Sequence, residues 1–98
     1  MDKQLERLNE IVKEYYSQPE PHGDQLVLWM KDLASILFYL TTEQVKYHKT
    51  WNSKMFMGTK GNQSVASMKI ICDKDVPELY MLRKIINAGY KELEAMRS

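Results

Sequence analysis

Residues 24–57 read DQLVLWMKDLASILFYLTTEQVKYHKTWNSKMFM. Apolar side chains recur at Leu26, Met30, Leu33, Leu37 and Leu40, then at Tyr47 or His48, Trp51 and Met55. At 3.6 residues per turn these positions form one stripe, the pattern of an amphipathic helix. Asp24 is placed to cap its start. Gln44 interrupts the stripe, and Thr41-Thr42-Glu43-Gln44 has the form of a capping box, so the helix either runs on or breaks there. Unbroken, Gln25 to Met57 would extend about 50 Å, against roughly 25–35 Å for a compact monomer of this length. Such a helix leaves part of its apolar stripe uncovered, which predicts a homo-oligomer.

Outward from this segment the helical period continues. Before it, Leu5, Leu8, Ile11 or Val12, and Tyr15 recur at three- and four-residue steps, with Asp2 as the expected N-cap. Gln18-Pro-Glu-Pro-His-Gly-Asp24 ends that helix, because two prolines and a glycine do not continue it. After the long helix, Gly58-Thr-Lys-Gly-Asn-Gln-Ser64 reads as a loop, and Asn62 or Ser64 is expected to cap a helix beginning VASMKIICDK. Asp75-Val-Pro-Glu78 reads as a restart, with Asp75 as N-cap and proline in the first turn. Leu79, Leu82, Ile86, Tyr90, Leu93 and Met96 then mark the last helix. Gly89 within it either lets another helix approach closely or is a weak point costing about 1 kcal/mol relative to alanine. No stretch alternates with period two, so no sheet is expected. The expected fold is all-α: a single helical domain over 1–98, a bundle of three or four helices with one long member, assembled as a homo-oligomer.

Composition narrows the classes. The chain has 98 residues, 44% of them hydrophobic, and a net charge of +1. A domain this small buries roughly 60–65% of its unfolded surface, so association is a natural supplement to its core. The balance excludes a uniformly basic nucleic-acid binder, yet the charge is uneven. Residues 1–24 carry three basic and six acidic side chains, whereas residues 45–61 carry four lysines and no carboxylate. Cys72 is the one cysteine, which rules out an intrachain disulfide and suits a reducing cytoplasm. The opening MDKQLERLNE has no apolar core of a signal peptide, and runs such as LVLWM and SILFYL are too short to span a bilayer, so no membrane partner is expected. Asn62-Gln63-Ser64 matches a glycosylation sequon but is read as a turn and helix cap.

The segment VKYHKTWNSKMFMGTKG, residues 45–61, is the strongest candidate site. Lys46, Lys49, Lys54 and Lys60 lie among Tyr47, Trp51 and Phe56, and cations beside flat rings suit a ligand with phosphates and a stacking face. In the expected site, a pocket between subunits holding an anion such as a nucleotide, the lysines would neutralise phosphates, Tyr47 or Trp51 would stack on a base, and the amides of Gly58 to Gly61 would cradle an oxygen. The bland alternative is that Tyr47, Trp51 and Met55, four apart each time, are packing positions with a solvated lysine rim. Gly58-Thr-Lys-Gly61 has the spacing of the KH-domain GXXG loop without the strands of that fold, and no Walker A spacing is present.

Catalysis finds no support. His22, His48 and Cys72 are scattered singly, so no metal ligand set is expected. Glu43 and His48 miss the Glu-x-x-His spacing of di-iron bundles. Cys72 reads as a buried small hydrophobe rather than as a nucleophile paired with His48. Asp75 is explained by capping and Asp73 by solvation. Glu6, Glu10 and Glu14 line one helix face, either as a wet surface or as a counter-surface for another subunit's lysines. No enzyme activity and no cofactor are expected.

The run YLTTEQVKYHKTWNSKMF, followed by SVASMKIICDKDVPELYMLRKIINAGYKELEAMRS, resembles small all-helical accessory proteins of bacteriophages, in which a basic-aromatic helix precedes a PELY-like restart and a last helix ending near Arg-Ser. The resemblance covers residues 39–98. It implies a cytoplasmic protein of a prokaryotic host cell with one of two roles. One is counter-defence, by sequestering a nucleotide signal or occupying a host protein. That is the expected role, and the alternative is assistance to phage DNA replication or recombination through nucleic-acid binding. A pure protein-interaction module is the further alternative, in which Trp51 and its apolar neighbours matter more than the lysines.

Overall fold

In a computed structural model residues 2–97 are described, apart from the Asp2 side chain, so the cap expected from Asp2 lies outside the described residues. The described chain is all-helical: α1 (Asp2–Ser17), α2 (Gly23–Lys60), α3 (Val65–Asp75) and α4 (Pro77–Arg97), with no strand. It divides into two compact units. One gathers the chain through Leu40 with the stretch from Ile85 onward, and the other is Thr41–Lys84.

α2 begins two residues earlier than an Asp24 cap would set it. The Leu26 N–H donates to the His22 carbonyl at 2.9 Å, so His22 takes the cap position. Asp24 sits instead in the first turn, where its charge complements the helix dipole. The helix passes through Thr41–Gln44 without a break. No proline or glycine lies there to stop it, and Glu43 pairs forward with Lys46, Oε1 to Nζ 3.2 Å, instead of folding back as a capping residue.

In the first unit α1 meets both longer helices. Its buried residues are Leu8 and Ile11, opposite Trp29, Leu33, Ile36, Leu37 and Leu40 of α2 and Ile86, Leu93 and Met96 of α4. Leu26 and Met30, expected at the core, are only half-buried, and Trp29 takes the interior place at 1% exposure. Its indole N–H reaches Glu14 Oε2 at 3.0 Å, so the one polar atom of this large ring is satisfied at the edge of the core. Arg7 bridges α1 to α2 through Asp32 at 3.0 Å. Tyr16 bridges α1 to α4, its hydroxyl donating to Glu92 at 2.7 Å.

Tyr90 lies 47% exposed, off the face where the apolar period had placed it. Gly89 is buried there in its stead, under Leu37, whose Cδ2 occupies the space a Cβ at 89 would need. Close approach of α2 and α4 therefore accounts for this glycine.

The second unit holds Met68, Cys72, Val76, Leu79 and Leu82 in its interior. Cys72 is fully buried, whereas its neighbours Ile70 and Ile71 are exposed. Ser64 caps α3, its Oγ accepting from the Ser67 N–H at 3.1 Å. Asp75 closes α3 rather than capping α4. A single residue, Val76, joins the two helices, its N–H donating to the Cys72 carbonyl and its own carbonyl facing the Leu79 N–H at 3.4 Å. Pro77 then stands first in α4, a position with no hydrogen-bonding N–H to lose. No helix of the described residues is long and apolar enough to cross a membrane.

Candidate functional site

The basic-aromatic segment is helical through Lys60, and that divides its residues between two faces. At about 100° per residue, Tyr47, Trp51 and Met55 fall on one side, with Lys54 beside them. All three of those large side chains are half-buried. Lys46, Lys49, Phe56 and Lys60 fall within an arc of about 80° on another side, and all four are exposed. Within one chain, Lys46, Lys49 and Lys60 thus lie on a different side of the helix from Tyr47 and Trp51, and Lys54 alone of the four lysines stays beside the aromatic pair.

On the packed side, α3 supplies carboxylates. The Trp51 indole N–H donates to Asp73 Oδ1 at 3.0 Å, and Lys54 Nζ lies 3.6 Å from Asp75 Oδ2. Asp73 and Asp75 are two apart on α3, and Trp51 and Lys54 are three apart on α2, so the contacts form one small polar seam between the helices. The His48 ring lies 6.2 Å from that of Trp51, tilted by 40°. Trp51 and Lys54 are thereby engaged within the fold.

The outer side is an open ridge. Lys46, Lys49, Ser53, Phe56 and Lys60 follow one another at steps of three and four along α2, and Lys46 to Lys60 covers about 21 Å. Phe56 stands 64% exposed, and Lys60 Nζ approaches its ring to 5.9 Å from the centroid. Lys46 shares its charge with Glu43; Lys49 has no carboxylate partner among the described residues. With no low-dielectric walls around them, these ammonium groups keep their hydration and attract anions at long range rather than gripping one group.

The glycine loop is shorter than its composition suggests. Gly58 lies inside α2, where a Cβ would overlap the Met68 side chain, its Cγ 2.8 Å away. The Gly61 N–H donates to the Met57 and Gly58 carbonyls, Asn62 N–H to Thr59 at 3.2 Å, and Gln63 N–H to Gly58 at 3.1 Å. With Asn62 at φ 72°, these bonds form a Schellman closure of the helix. The Gly61 amide expected to cradle an anion is therefore spent on ending α2, and Gly58 serves close helix packing.

Sequence reasoning missed a cavity of about 310 Å³ at the α3–α4 junction, lined by Asp73, Val76, Pro77, Leu79, Tyr80 and Arg83 among others. Tyr80 is 60% exposed, with Lys84 Nζ 4.6 Å from its ring centroid, one turn along α4. The legible signal was there: Tyr80, Arg83 and Lys84 follow the Pro77 restart at helical spacing, but the apolar period of α4 drew the reading to its buried face. A second cavity, about 300 Å³, lies between α1 and α4 over Ala88 and Gly89, with Lys13, Tyr16 and Glu92 at its edge. No group of three or more metal-ligating side chains occurs among the described residues. No protein-family model, curated protein or solved structure matches the chain.

Proposed function

We propose that this chain is a non-enzymatic, phage-type accessory protein that binds single-stranded nucleic acid along the outer ridge of α2, in support of phage DNA replication or recombination. The observation that carries this reading is the open line of Lys46, Lys49 and Lys60 with exposed Phe56 among them. A linear array of cations with a stacking ring suits a strand, which presents phosphates and bases in succession. A compact nucleotide held by the same lysines, the counter-defence form of the reading, needs a wall that the ridge lacks and that only a second subunit would supply.

Fluorescence anisotropy with labelled oligothymidylates of increasing length tests the reading. Affinity is expected to rise with length, and its logarithm to fall against log salt with a slope of about −2, as three lysines facing a single strand imply. Lys46→Glu combined with Lys49→Glu should remove binding while circular dichroism stays unchanged. Phe56→Ala should cost about 1–3 kcal/mol through one lost stacking platform. Binding that ignores both length and the ridge substitutions would sink the proposal.

A second reading, a module that occupies a host protein, is favoured by the apolar side chains on α3 and α4: Ile70 is 71% exposed, Tyr80 60% and Met81 58%. In either case we infer a cytoplasmic homo-oligomer of four-helix bundles, supported by the unbroken α2 and by apolar Val27 and Leu28 on its surface, 49% and 57% exposed.

A further inference from the structure

We propose that the cavity at the α3–α4 junction is a separate binding site for a nucleoside 5′-phosphate, with the base on Tyr80 and the phosphate on Arg83. It uses none of the α2 ridge, so it stands whether or not a strand binds there.

Size comes first. At about 310 Å³ the cavity is at the small end of the range in which ligand pockets occur. It has room for one ring system with one polar group attached. Its floor is apolar: Val76 and Leu79 are buried, 4% and 7% exposed, and Pro77 adds a rigid ring at the start of α4. An apolar floor favours a flat, poorly hydrated group over a bare ion such as sulfate.

The wall is a stacking platform that is already polarised. Tyr80 stands open to solvent, and Lys84 lies 4.6 Å from its ring centroid. That places a cation over the ring of a residue that lines the cavity. Arg83 comes from the same helix turn and also lines the cavity. Its planar fork of N–H donors fits phosphate oxygens in pairs, a geometry lysine cannot supply. Arg83 has no carboxylate partner among the described residues, in contrast to Arg7 and Lys54, which have theirs.

Asp73 completes the recognition from α3. One of its carboxylate oxygens, Oδ1, takes the Trp51 indole N–H at 3.0 Å, which fixes the carboxylate in place. A carboxylate so held is an acceptor for an exocyclic amine, as in contacts of Asp with cytosine N4. Guanidinium, aromatic ring and carboxylate together match a phosphate, a base and a base amine on one small molecule. A free mononucleotide and the phosphorylated 5′ end of a strand both offer that chemistry.

The test is a heteronuclear NMR titration of the full chain with adenosine monophosphate, alongside adenosine and inorganic phosphate as partial probes. Saturable shifts at Tyr80, Met81 and Arg83, with both partial probes weaker, are the expected result. Arg83→Ala should weaken binding about tenfold or more, as loss of a charged hydrogen-bond donor implies. Tyr80→Ala should do the same, and Tyr80→Phe should restore it, which separates stacking from any change in the fold. Lys46→Glu with Lys49→Glu should leave the monophosphate affinity unchanged; this distinguishes failure of the ridge reading from failure of the cavity site. Competition by a 5′-phosphorylated but not by a 5′-hydroxyl oligonucleotide identifies a strand end as the source of the ligand, and no competition by either identifies a free nucleotide. Absence of saturable shifts at millimolar monophosphate, or shifts confined to α2, would overturn the proposal.

Discussion

At the scale of single residues, one contact is repeated in both units. Trp29 donates its indole to Glu14 across α2 and α1, and Trp51 donates to Asp73 across α2 and α3, each at 3.0 Å. The two differ in burial, and that decides their weight. Trp29 is 1% exposed, so Trp29→Ala is expected to cost about 3–5 kcal/mol by urea unfolding. Half-buried Trp51 should cost much less. Gly89→Ala sets two effects against each other. Alanine gains about 1 kcal/mol of helix propensity over glycine, but its Cβ meets Leu37, which is fully buried and has little room to give. Overpacking of that kind costs about 1–3 kcal/mol, so net destabilisation of about 1 kcal/mol is expected; a rise in stability would show that Leu37 moves aside freely. The apolar period left both roles of Gly89 open, because a glycine carries no side chain from which to infer a neighbour. The same period misplaced Tyr90, since a ring one position from the buried line is indistinguishable in sequence from one on it. Trp29 was hidden for a related reason: Leu26 and Met30 fit the period as well, yet the line through Trp29, Leu33, Ile36 and Leu40 is the buried one.

At the scale of elements, the existence and order of the helices were legible, and their junctions were not. Pro19, Pro21 and Pro77 mark real breaks, because proline removes a donor and restricts the residue before it. The Thr41–Gln44 box did not break α2, since a capping box works only where the backbone has already left the helix. The two glycines at 58 and 61 suggested a loop beginning at 58, whereas α2 continues to Lys60 and ends in the turn around Asn62. That turn makes a prediction. Asn62 lies at φ 72°, in the left-handed region that glycine enters without cost and asparagine tolerates. Asn62→Gly should leave thermal stability unchanged or raise it slightly, while Asn62→Ala should lower it by about 1 kcal/mol. Ser64→Ala, two residues on, should cost about 1 kcal/mol through the lost bond to the Ser67 N–H. The candidate site suffered from the same limit. Composition gathered the lysines and aromatics into one segment, but helix phase then set Trp51 on Asp73 of α3, with half-buried Tyr47 on the same side of α2, and left Lys49, Phe56 and Lys60 outside.

At the scale of the whole molecule, the open matter is what covers the apolar side chains on the surface. Val27 and Leu28 are adjacent on α2 and about half exposed, in a chain of 98 residues whose core is necessarily small. Water around such groups is released when a second copy covers them, at about 25 cal/mol per Å². A second copy is a natural cover, because a patch at one place on a chain is present on every chain and a two-fold axis sets it against itself. Light scattering coupled to size exclusion should therefore give a mass at least twice the 11.6 kDa of one chain. Val27→Lys combined with Leu28→Glu should shift that mass toward the monomer, with helicity retained, because neither side chain belongs to the buried set. The ridge substitutions Lys46→Glu and Lys49→Glu should leave the mass alone, since α2 carries those lysines well along the helix from Val27. A wild-type chain that runs as a monomer at all concentrations would end the self-association proposal while leaving the ridge and the α3–α4 cavity to their own tests. A mass lowered by the lysine substitutions instead would place the subunit contact on the ridge, and a strand could then bind there only by competing with a second copy.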